Sequence, residues 1–390
     1  MTVEAQIAAG RREIFEPEHD DYRESFRRFL QAEVVPDFEE WSRKELVPKE
    51  LFTKCAEYGF LAMDVPEEFG GSGVEDWRFN VVVAEESVWA GVADAMAGPT
   101  LHSDVVLPYI LTSADEEQRK RWLPGIASGE KVLAVAMTEP GTGSDLAAIS
   151  TRARKDGDGW VLNGAKTFIT NGINADLVVV AARTSDDPHG GLSLFVVESE
   201  VEGFDKGKQI GKLGQHASDT AELFFNDAWV PSANMLGEEG SGFLQLVSRL
   251  VPERLTLAVS SMAGCEAALA MTVEYVKERK AFGKPIGKFQ NSRFVLAELR
   301  TEIEIGRCFI DRCIARYLEG TCTVEEAAMA KWWTTELLCK TTDAGVQLHG
   351  GYGYTTEYPI GKAWVDARVG KIYAGTNEIM KELIGKTMGL

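Results

Sequence analysis

From residue 18 to about residue 129 the apolar positions recur at helical spacing. Tyr22, Phe26, Phe29 and Leu30 fall on one face, while Arg23, Arg27 and Arg28 fall largely on the others. Pro48 stands where a second helix would begin and Gly59 where it would end. Residues 74–96 predict another helix, entered through the turn Gly70-Gly71-Ser72-Gly73, which reads as a connection because a phosphate cradle needs a preceding strand. Between Lys131 and Pro231 the period changes. Residues 131–137, 160–162, 167–170, 177–182, 192–197 and 222–225 are short β-prone runs separated by Asp-Gly, Asn-Gly and Gly-Gly turns. After Gly240 long helical patterns return over 252–280, 290–318 and 324–348, joined by short turns at Phe282-Gly283-Lys284-Pro285 and Glu319-Gly320. The expected chain is α+β, with an N-terminal helical domain at 1–130, a central β-barrel or sandwich at 131–235 and a C-terminal four-helix bundle at 236–390.

Composition narrows the class. A chain of 390 residues, 45% hydrophobic, buries a large core and divides into more than one domain. Its net charge of −19 argues against nucleic acid and anionic membrane as partners, so any anionic substrate must be met by local Arg or Lys and by backbone N–H groups. Six cysteines without a C-x-x-C pair and five histidines without H-E-x-x-H spacing predict no metal site and thiols in a reducing compartment. The first residues carry acids and no apolar core before a cleavage site, and no run reaches the ~18 apolar residues of a membrane span. A cytoplasmic protein is expected. The β-α-β alternation and G-x-G-x-x-G of a nicotinamide-binding domain are missing.

Three motifs carry candidate chemistry. Residues 136–145, A-M-T-E-P-G-T-G-S-D, put glycines and hydroxyls at a strand end, where backbone N–H groups can approach a ring edge or a pyrophosphate; an ordinary strand-to-loop turn has the same look. Residues 279–290, R-K-A-F-G-K-P-I-G-K-F-Q, open on an arginine whose rigid fork of donors suits a pyrophosphate, although a basic residue also suits a helix end. Residues 347–360, Q-L-H-G-G-Y-G-Y-T-T-E-Y-P-I, are followed by I-Y-A-G-T-N-E-I-M-K-E-L-I from Ile372. In this order the three resemble the signatures of the acyl-CoA dehydrogenases, and the resemblance covers nearly the whole chain.

That resemblance implies FAD as cofactor and no metal. Val135, Met137 and Thr138 would line the flavin, with Ser144 near the pyrophosphate or the CoA arm. Phe168 would stack near the isoalloxazine where many relatives have Trp, and Thr170 would offer a hydroxyl near N5. Arg279, Phe282 and Gln290 match residues that reach a neighbouring subunit's FAD; Gln347 and Gly351 match contacts to its adenosine part, and Thr376 and Glu378 further cofactor contacts. A homotetramer, a dimer of dimers, is thereby implied, as are an acyl-CoA substrate and an electron-transfer flavoprotein as partner.

Many members carry their catalytic glutamate at the position that is Ala374 here. The reaction needs a carboxylate to remove the α-proton while the β-hydrogen leaves as hydride to flavin N5, and it needs donors for the enolate oxygen. The resemblance assigns one such donor to the backbone N–H at position 374, which survives loss of the side chain. A subset, the isovaleryl-CoA and long-chain enzymes, places the glutamate where this chain has Glu253, in V-P-E-R-L. Pro252 reads as the first residue of a helix, so an acid in the first turn also has a plain dipole explanation. The dipole and Arg254 should lower the carboxyl's pKa and an apolar cavity raise it. Arg254 and Gly375 are expected beside the thioester, with Ser144.

The resulting expectation is a FAD-dependent dehydrogenase that introduces a trans-2,3 double bond into a medium- or long-chain acyl-CoA. A non-catalytic FAD-binding subunit of a mixed assembly and a flavin-dependent acyl-CoA oxidase are the competing readings. The small residues from Ala90 to Thr100 suit either a deep acyl cavity or close helix packing.

Overall fold

The computed structural model describes residues 12–188 and 190–390. In chain order the helices are α1 (Pro17–Phe29), α2 (Phe38–Lys44), α3 (Glu50–Glu57), α4 (Arg78–Trp89), α5 (Ala97–Thr100), α6 (Leu107–Ser113), α7 (Glu116–Ala127), α8 (Gly242–Glu278), α9 (Gln290–Leu318), α10 (Val324–His349), α11 (Pro359–Ala367) and α12 (Asn377–Thr387). The strands are β1 (Leu133–Ala136), β2 (Arg152–Asp156), β3 (Gly159–Thr170), β4 (Leu177–Arg183), β5 (Leu192–Glu198), β6 (Phe204–Gln209), β7 (Thr220–Pro231) and β8 (Met235–Leu236), with a small hairpin of β9 (Lys280–Ala281) and β10 (Lys284–Pro285). Helices, then a sheet, then helices follow one another along the chain, as expected. Two compact units result: a sheet unit of Gln31–Asp76 and Asp94–Leu250, and a helical unit of the N-terminal stretch as far as Leu30 with Trp77–Ala93 and Val251–Leu390.

In the sheet unit eight strands form one sheet, in the order β6-β7-β3-β2-β4-β5-β8, with β1 parallel to β4. All seven residues of β4 are buried, so its sequence, L-V-V-V-A-A-R, is apolar almost throughout instead of alternating. Trp160, Leu162, Phe195 and Phe225 fill the core under the sheet. Each such side chain contributes about 1.5–3 kcal/mol by leaving water. The two runs at 160–162 and 167–170 are one strand, β3, interrupted by register shifts at Leu162/Gly164 and Lys166/Ile169. Strands β2 and β6 escape the hydrophobic pattern because their residues, R-A-R-K-D and F-D-K-G-K-Q, are mostly polar. Backbone pairing to β3 and β7 holds them. Ahead of the sheet, α7 starts in a reciprocal cap: the Gln118 N–H donates to Asp115 Oδ1 at 2.8 Å and the Asp115 N–H to Gln118 Oε1 at 3.0 Å.

Two helix boundaries differ from the sequence pattern. The helix expected over 74–96 is confined to α4, because Gly91 takes φ +75° two residues past its end and turns the chain. The helix expected to start at Pro252 begins at Gly242, so Pro252 lies in the interior of α8. A proline there cannot donate to the carbonyl of Ser248, a local defect that the flanking turns tolerate. Glu253 is accordingly not a first-turn acid, and the dipole explanation for it lapses. By length and composition α8 is long and apolar enough to cross a bilayer, but most of its apolar window is buried inside the protein.

Within the helical unit the apolar cluster runs through Val81, Val82, Leu255, Met262, Ile303, Ile310 and Leu337. A charged cluster is buried beside it. Glu85 and Glu86 on α4 are 3% and 2% exposed. Glu85 meets Arg12, Arg23 Nη2 at 3.0 Å and Arg307 Nη1 at 2.9 Å. Glu86 meets Arg23 at 2.8 Å and Arg27 at 2.9 Å. Arg307 forks onto Glu266 at 2.8 and 2.7 Å, and Arg12 also holds Asp311. Arg23 and Arg27 of α1 thus turn inward although they lie off its apolar face, while Arg28 stays exposed against Glu24. Burial alone would raise the Glu85 carboxyl, but Arg12, Arg307 and Arg23 overcome it and hold it down to about 2.

Replacing Glu85 with Gln should destabilise the protein by about 3–5 kcal/mol at neutral pH, because three guanidiniums lose their shared anion. The folded carboxyl titrates below its unfolded value, so its stabilisation is complete above the unfolded pKa and is lost as pH falls toward 2. Urea unfolding at pH 7 and at pH 3 tests both statements: the difference between wild type and Glu85→Gln should shrink at the lower pH.

Candidate functional site

On the sheet unit the candidate residues gather where β1 ends beside β3. Alternation along β1 buries Ala134 and Ala136 in the core and leaves Val135 and Met137, with Thr138, half-exposed along one side. The Thr167 N–H donates to the Thr138 carbonyl at 2.9 Å, which ties the strand end to the irregular part of β3. There Phe168 takes φ +58°, a backbone region that favours glycine, and its ring is 65% exposed. A large apolar ring turned outward by a β-bulge is a costly arrangement that bulges often serve by re-aiming a side chain toward a ligand. Thr170 is half-buried two residues on. In the loop after β1, Ser144 is exposed, and a Cβ added at Gly141 or Gly143 would meet nothing within 4 Å.

This arrangement is pinned by an ion pair that sequence reading missed. Lys166, fully buried, donates to Glu139 Oε1 at 2.8 Å and to the Met137 carbonyl at 3.1 Å. Glu139 also accepts from the Ser150 N–H at 2.7 Å, the Ser150 hydroxyl at 2.6 Å and the Thr151 N–H at 2.8 Å. Burial would raise the Glu139 carboxyl, yet Lys166 and these donors hold it near 2; burial brings Lys166 down to about 8 against the pull of Glu139. The available signal was an acid placed directly after a buried strand, with a lysine at an inward position of a second strand.

Five other candidates lie together in the helical unit. The Arg254 Nε donates to the Ala374 carbonyl at 3.5 Å, so α8 and the turn before α12 are in contact. Ala374 and Gly375 both have left-handed backbone, φ +52° and +85°. A Cβ at Gly375 would come within 2.8 Å of Met380, which explains glycine there. The Thr376 hydroxyl caps α12 by accepting from the Ile379 N–H, and Glu378 is an exposed acid in its first turn. Lys331 of α10, not predicted from sequence, donates to the Gly375 carbonyl at 2.8 Å and to Asn377 Oδ1 at 2.9 Å.

Glu253 contrasts with Glu85 and Glu139, whose carboxylates are paired with cations. Its residue is half-buried, but its Oε2 oxygen is out of water and has no hydrogen-bond partner among the described residues. Burial pushes the carboxyl up to about 7, with Arg254 opposing. The tension between burial and the neighbouring cation is therefore decided by burial. A carboxyl left unsatisfied and titrating near neutrality is suited to accept a proton.

The remaining candidates lie on exposed parts of the helical unit. Arg279, Phe282, Gln290, Gln347 and Gly351 are all exposed, Phe282 at 96%. The Arg279 guanidinium stands 5.7 Å from the ring centroid of Tyr352, which brings the β9-β10 hairpin beside the H-G-G-Y-G turn. Of the small residues at 90–100, Gly98 serves close packing: a Cβ there would fall 2.6 Å from Asn171 Oδ1, whose amide bridges the Gly98 and Leu133 carbonyls at 3.0 Å each.

Known proteins match the chain along its length. Family models for the acyl-CoA dehydrogenase N-terminal, middle and C-terminal domains match residues 16–130, 134–228 and 240–389. The mitochondrial long-chain specific acyl-CoA dehydrogenase of Rattus norvegicus is 45% identical over 380 residues, 97% of this chain and 88% of that protein. The mitochondrial short-chain specific acyl-CoA dehydrogenase of the same organism is 36% identical over 367 residues, 94% of this chain and 89% of that protein. The crystal structure of an acyl-CoA dehydrogenase from Geobacillus kaustophilus superposes with a TM-score of 0.94 at 47% identity, covering 97% of this chain and 100% of that one. With its three segments matched in order, this chain belongs to the acyl-CoA dehydrogenase family of oxidoreductases.

Proposed function

We propose that this protein is a FAD-dependent acyl-CoA dehydrogenase in which Glu253 removes the α-proton of a medium- or long-chain acyl-CoA thioester, giving a trans-2,3 double bond. The observation that carries the reading is the Glu253 carboxyl: buried at one oxygen, unpaired there, and held near neutrality. The residues present fit the flavin that the family implies. The exposed ring of Phe168 and the half-exposed side of β1 offer a flat apolar face, and the open Gly141-Gly143 loop offers backbone donors close by. When bound, FAD supplies the acceptor for the hydride that leaves the β-carbon.

Each residue then has a physical task. Glu253 takes the α-proton into a site where removing water has already raised its basicity. The Ala374 N–H faces the developing enolate oxygen as a fixed donor; among the described residues no acceptor is recorded for it. Arg254, bonded to the Ala374 carbonyl, keeps a positive charge beside the thioester. The exposure of Arg279, Phe282, Gln290, Gln347 and Gly351 supports a homotetramer whose subunits complete one another's cofactor sites. An electron-transfer flavoprotein is the proposed electron acceptor, and six free thiols support a reducing, cytoplasmic setting. The 45% identity to a long-chain enzyme, against 36% to a short-chain one, favours the longer substrate.

Replacing Glu253 with Gln should lower kcat by about 10²–10⁴-fold while FAD remains bound, the range expected for a lost general base. Stopped-flow flavin bleaching by a graded panel of acyl-CoAs measures this, and turnover near the wild-type level would show that another group is the base. In the wild type kcat/KM should rise with pH and level off above about 7, where free Glu253 is ionised. Stability should move the other way. A carboxyl whose folded pKa is raised favours the folded state most below its unfolded pKa of ~4.3, and that advantage is lost as pH rises to about 7. Glu253→Gln should therefore raise the Tm at pH 8 and leave it nearly unchanged at pH 4, as read by thermal melts.

A further inference from the structure

Lys331 is a fully buried lysine on α10 whose ammonium touches no carboxylate among the described residues. Its two recorded partners are the Gly375 carbonyl at 2.8 Å and Asn377 Oδ1 at 2.9 Å. Asn377 is itself fixed, donating to Thr335 Oγ1 at 3.1 Å and to Glu336 Oε1 at 3.0 Å. A buried ammonium with only neutral partners is expensive to keep, and a methionine would fill the same space at less cost. Burial and Arg254 both draw its pKa down, to about 8, while Glu378 and Glu336 act the other way from a distance. Such a group is retained for what it holds.

What it holds is the left-handed turn at Ala374 and Gly375. Residues in successive left-handed conformation line up their carbonyls toward one side and their N–H groups toward the other, as in any helical turn. Arg254 takes the Ala374 carbonyl and Lys331 the Gly375 carbonyl, so two cations occupy the carbonyl side. The N–H side is thereby directed away from both. We propose that Lys331 is a positioning residue for the dehydrogenation: by gripping the Gly375 carbonyl and Asn377 it fixes the turn and sets the direction of the Ala374 N–H toward the enolate oxygen. It touches neither substrate nor cofactor in this role. The inference rests on the dehydrogenase reading and deepens it, because it names what keeps that donor aimed when the side chain at 374 is only a methyl.

The test uses the FAD-loaded enzyme and two ligands of equal chain length. One is a saturated acyl-CoA. The other is a 3-oxoacyl-CoA, whose acidic C2 proton lets it bind as an enolate. In calorimetric titrations Lys331→Met should weaken the 3-oxoacyl-CoA at least tenfold more than the saturated ligand. In turnover kcat should fall about 10–100-fold with KM changed less than about threefold, because a donor aimed at the enolate matters only as charge develops. Should Lys331→Met fail to fold, Lys331→Gln retains one donor and should show the same selectivity at smaller size. Equal weakening of both ligands, or none, in whichever variant folds would overturn the proposal and leave Lys331 a purely structural residue. Wild type run alongside separates the two levels. If it neither bleaches with any acyl-CoA nor prefers the 3-oxoacyl ligand, the dehydrogenase reading falls and the role of Lys331 with it; if wild type behaves as expected and the variant follows it, only the role of Lys331 falls.

Discussion

Four carboxylates, Glu85, Glu86, Glu266 and Asp311, meet four guanidiniums, Arg12, Arg23, Arg27 and Arg307, inside the helical unit. Each buried ion costs several kcal/mol to strip of water, and only its partners repay that cost. None of the segments bearing these groups can leave without exposing an uncompensated charge in the interior. Those segments are far apart in sequence, so the network, together with the apolar cluster of Phe15, Val81 and Val82 against the C-terminal helices, ties the chain before Leu30 and helix α4 to those helices and not to their sequence neighbours. It also sets the position of α8, because Glu266 lies on that helix. Glu253 and Arg254 are carried on the same helix, about 20 Å along its axis from Glu266. The frame that fixes the candidate base is thus electrostatic at one end and apolar, through Leu255 and Val259, at the other.

The sequence shows most clearly what rests on local signals. Helices α9 and α10 follow from long amphipathic runs with strong ends; α10 opens on Thr323, whose hydroxyl accepts from the Glu326 N–H at 3.1 Å while Glu326 returns to the Thr323 N–H. Strands β4 and β5 follow from largely apolar runs, broken in β5 only by Ser193 before its closing glutamate. Polar strands are a different case: nothing in R-A-R-K-D distinguishes a strand from a loop until a partner with free backbone groups is beside it. The start of α8 was misplaced because a proline is a good first residue and a poor interior one, and only tertiary packing reverses that preference. Glu85 and Glu86 interrupt an apolar run in the way that solvent-facing residues do; their arginines come from the segment before α1, from α1 and from α9, and no local pattern foretells the meeting.

Legibility of the site divides along the same line. The residues with candidate chemistry stood out because they fall within motifs that resemble the acyl-CoA dehydrogenase signatures, and Glu253 was singled out only through its pairing with Ala374. The groups that hold them in place were not visible. Glu139, Lys166 and Lys331 do their work through long-range bonds, to Ser150, Thr151, Met137 and Gly375, and a residue type alone carries no record of such partners. Lysine at a buried position is the nearest thing to a sequence signal, since burial of an ammonium demands a reason.

The geometry around Glu253 also answers how an arginine at the next position can coexist with a base near neutrality. Consecutive residues of a helix point about 100° apart, so Glu253 and Arg254 do not face each other. Arg254 reaches the Ala374 carbonyl instead of closing an ion pair with Glu253. A direct contact would have pulled the carboxyl well below its ordinary value, as the arginines do at Glu85. With the guanidinium turned toward the turn, its field on Glu253 is weaker than the effect of burial, and the carboxyl rises to about 7. In the proposed mechanism, carrying the carboxylate on the helix and not on the turn separates two demands that one residue would otherwise meet together: position 374 would supply only its backbone N–H, and position 253 only a basic oxygen.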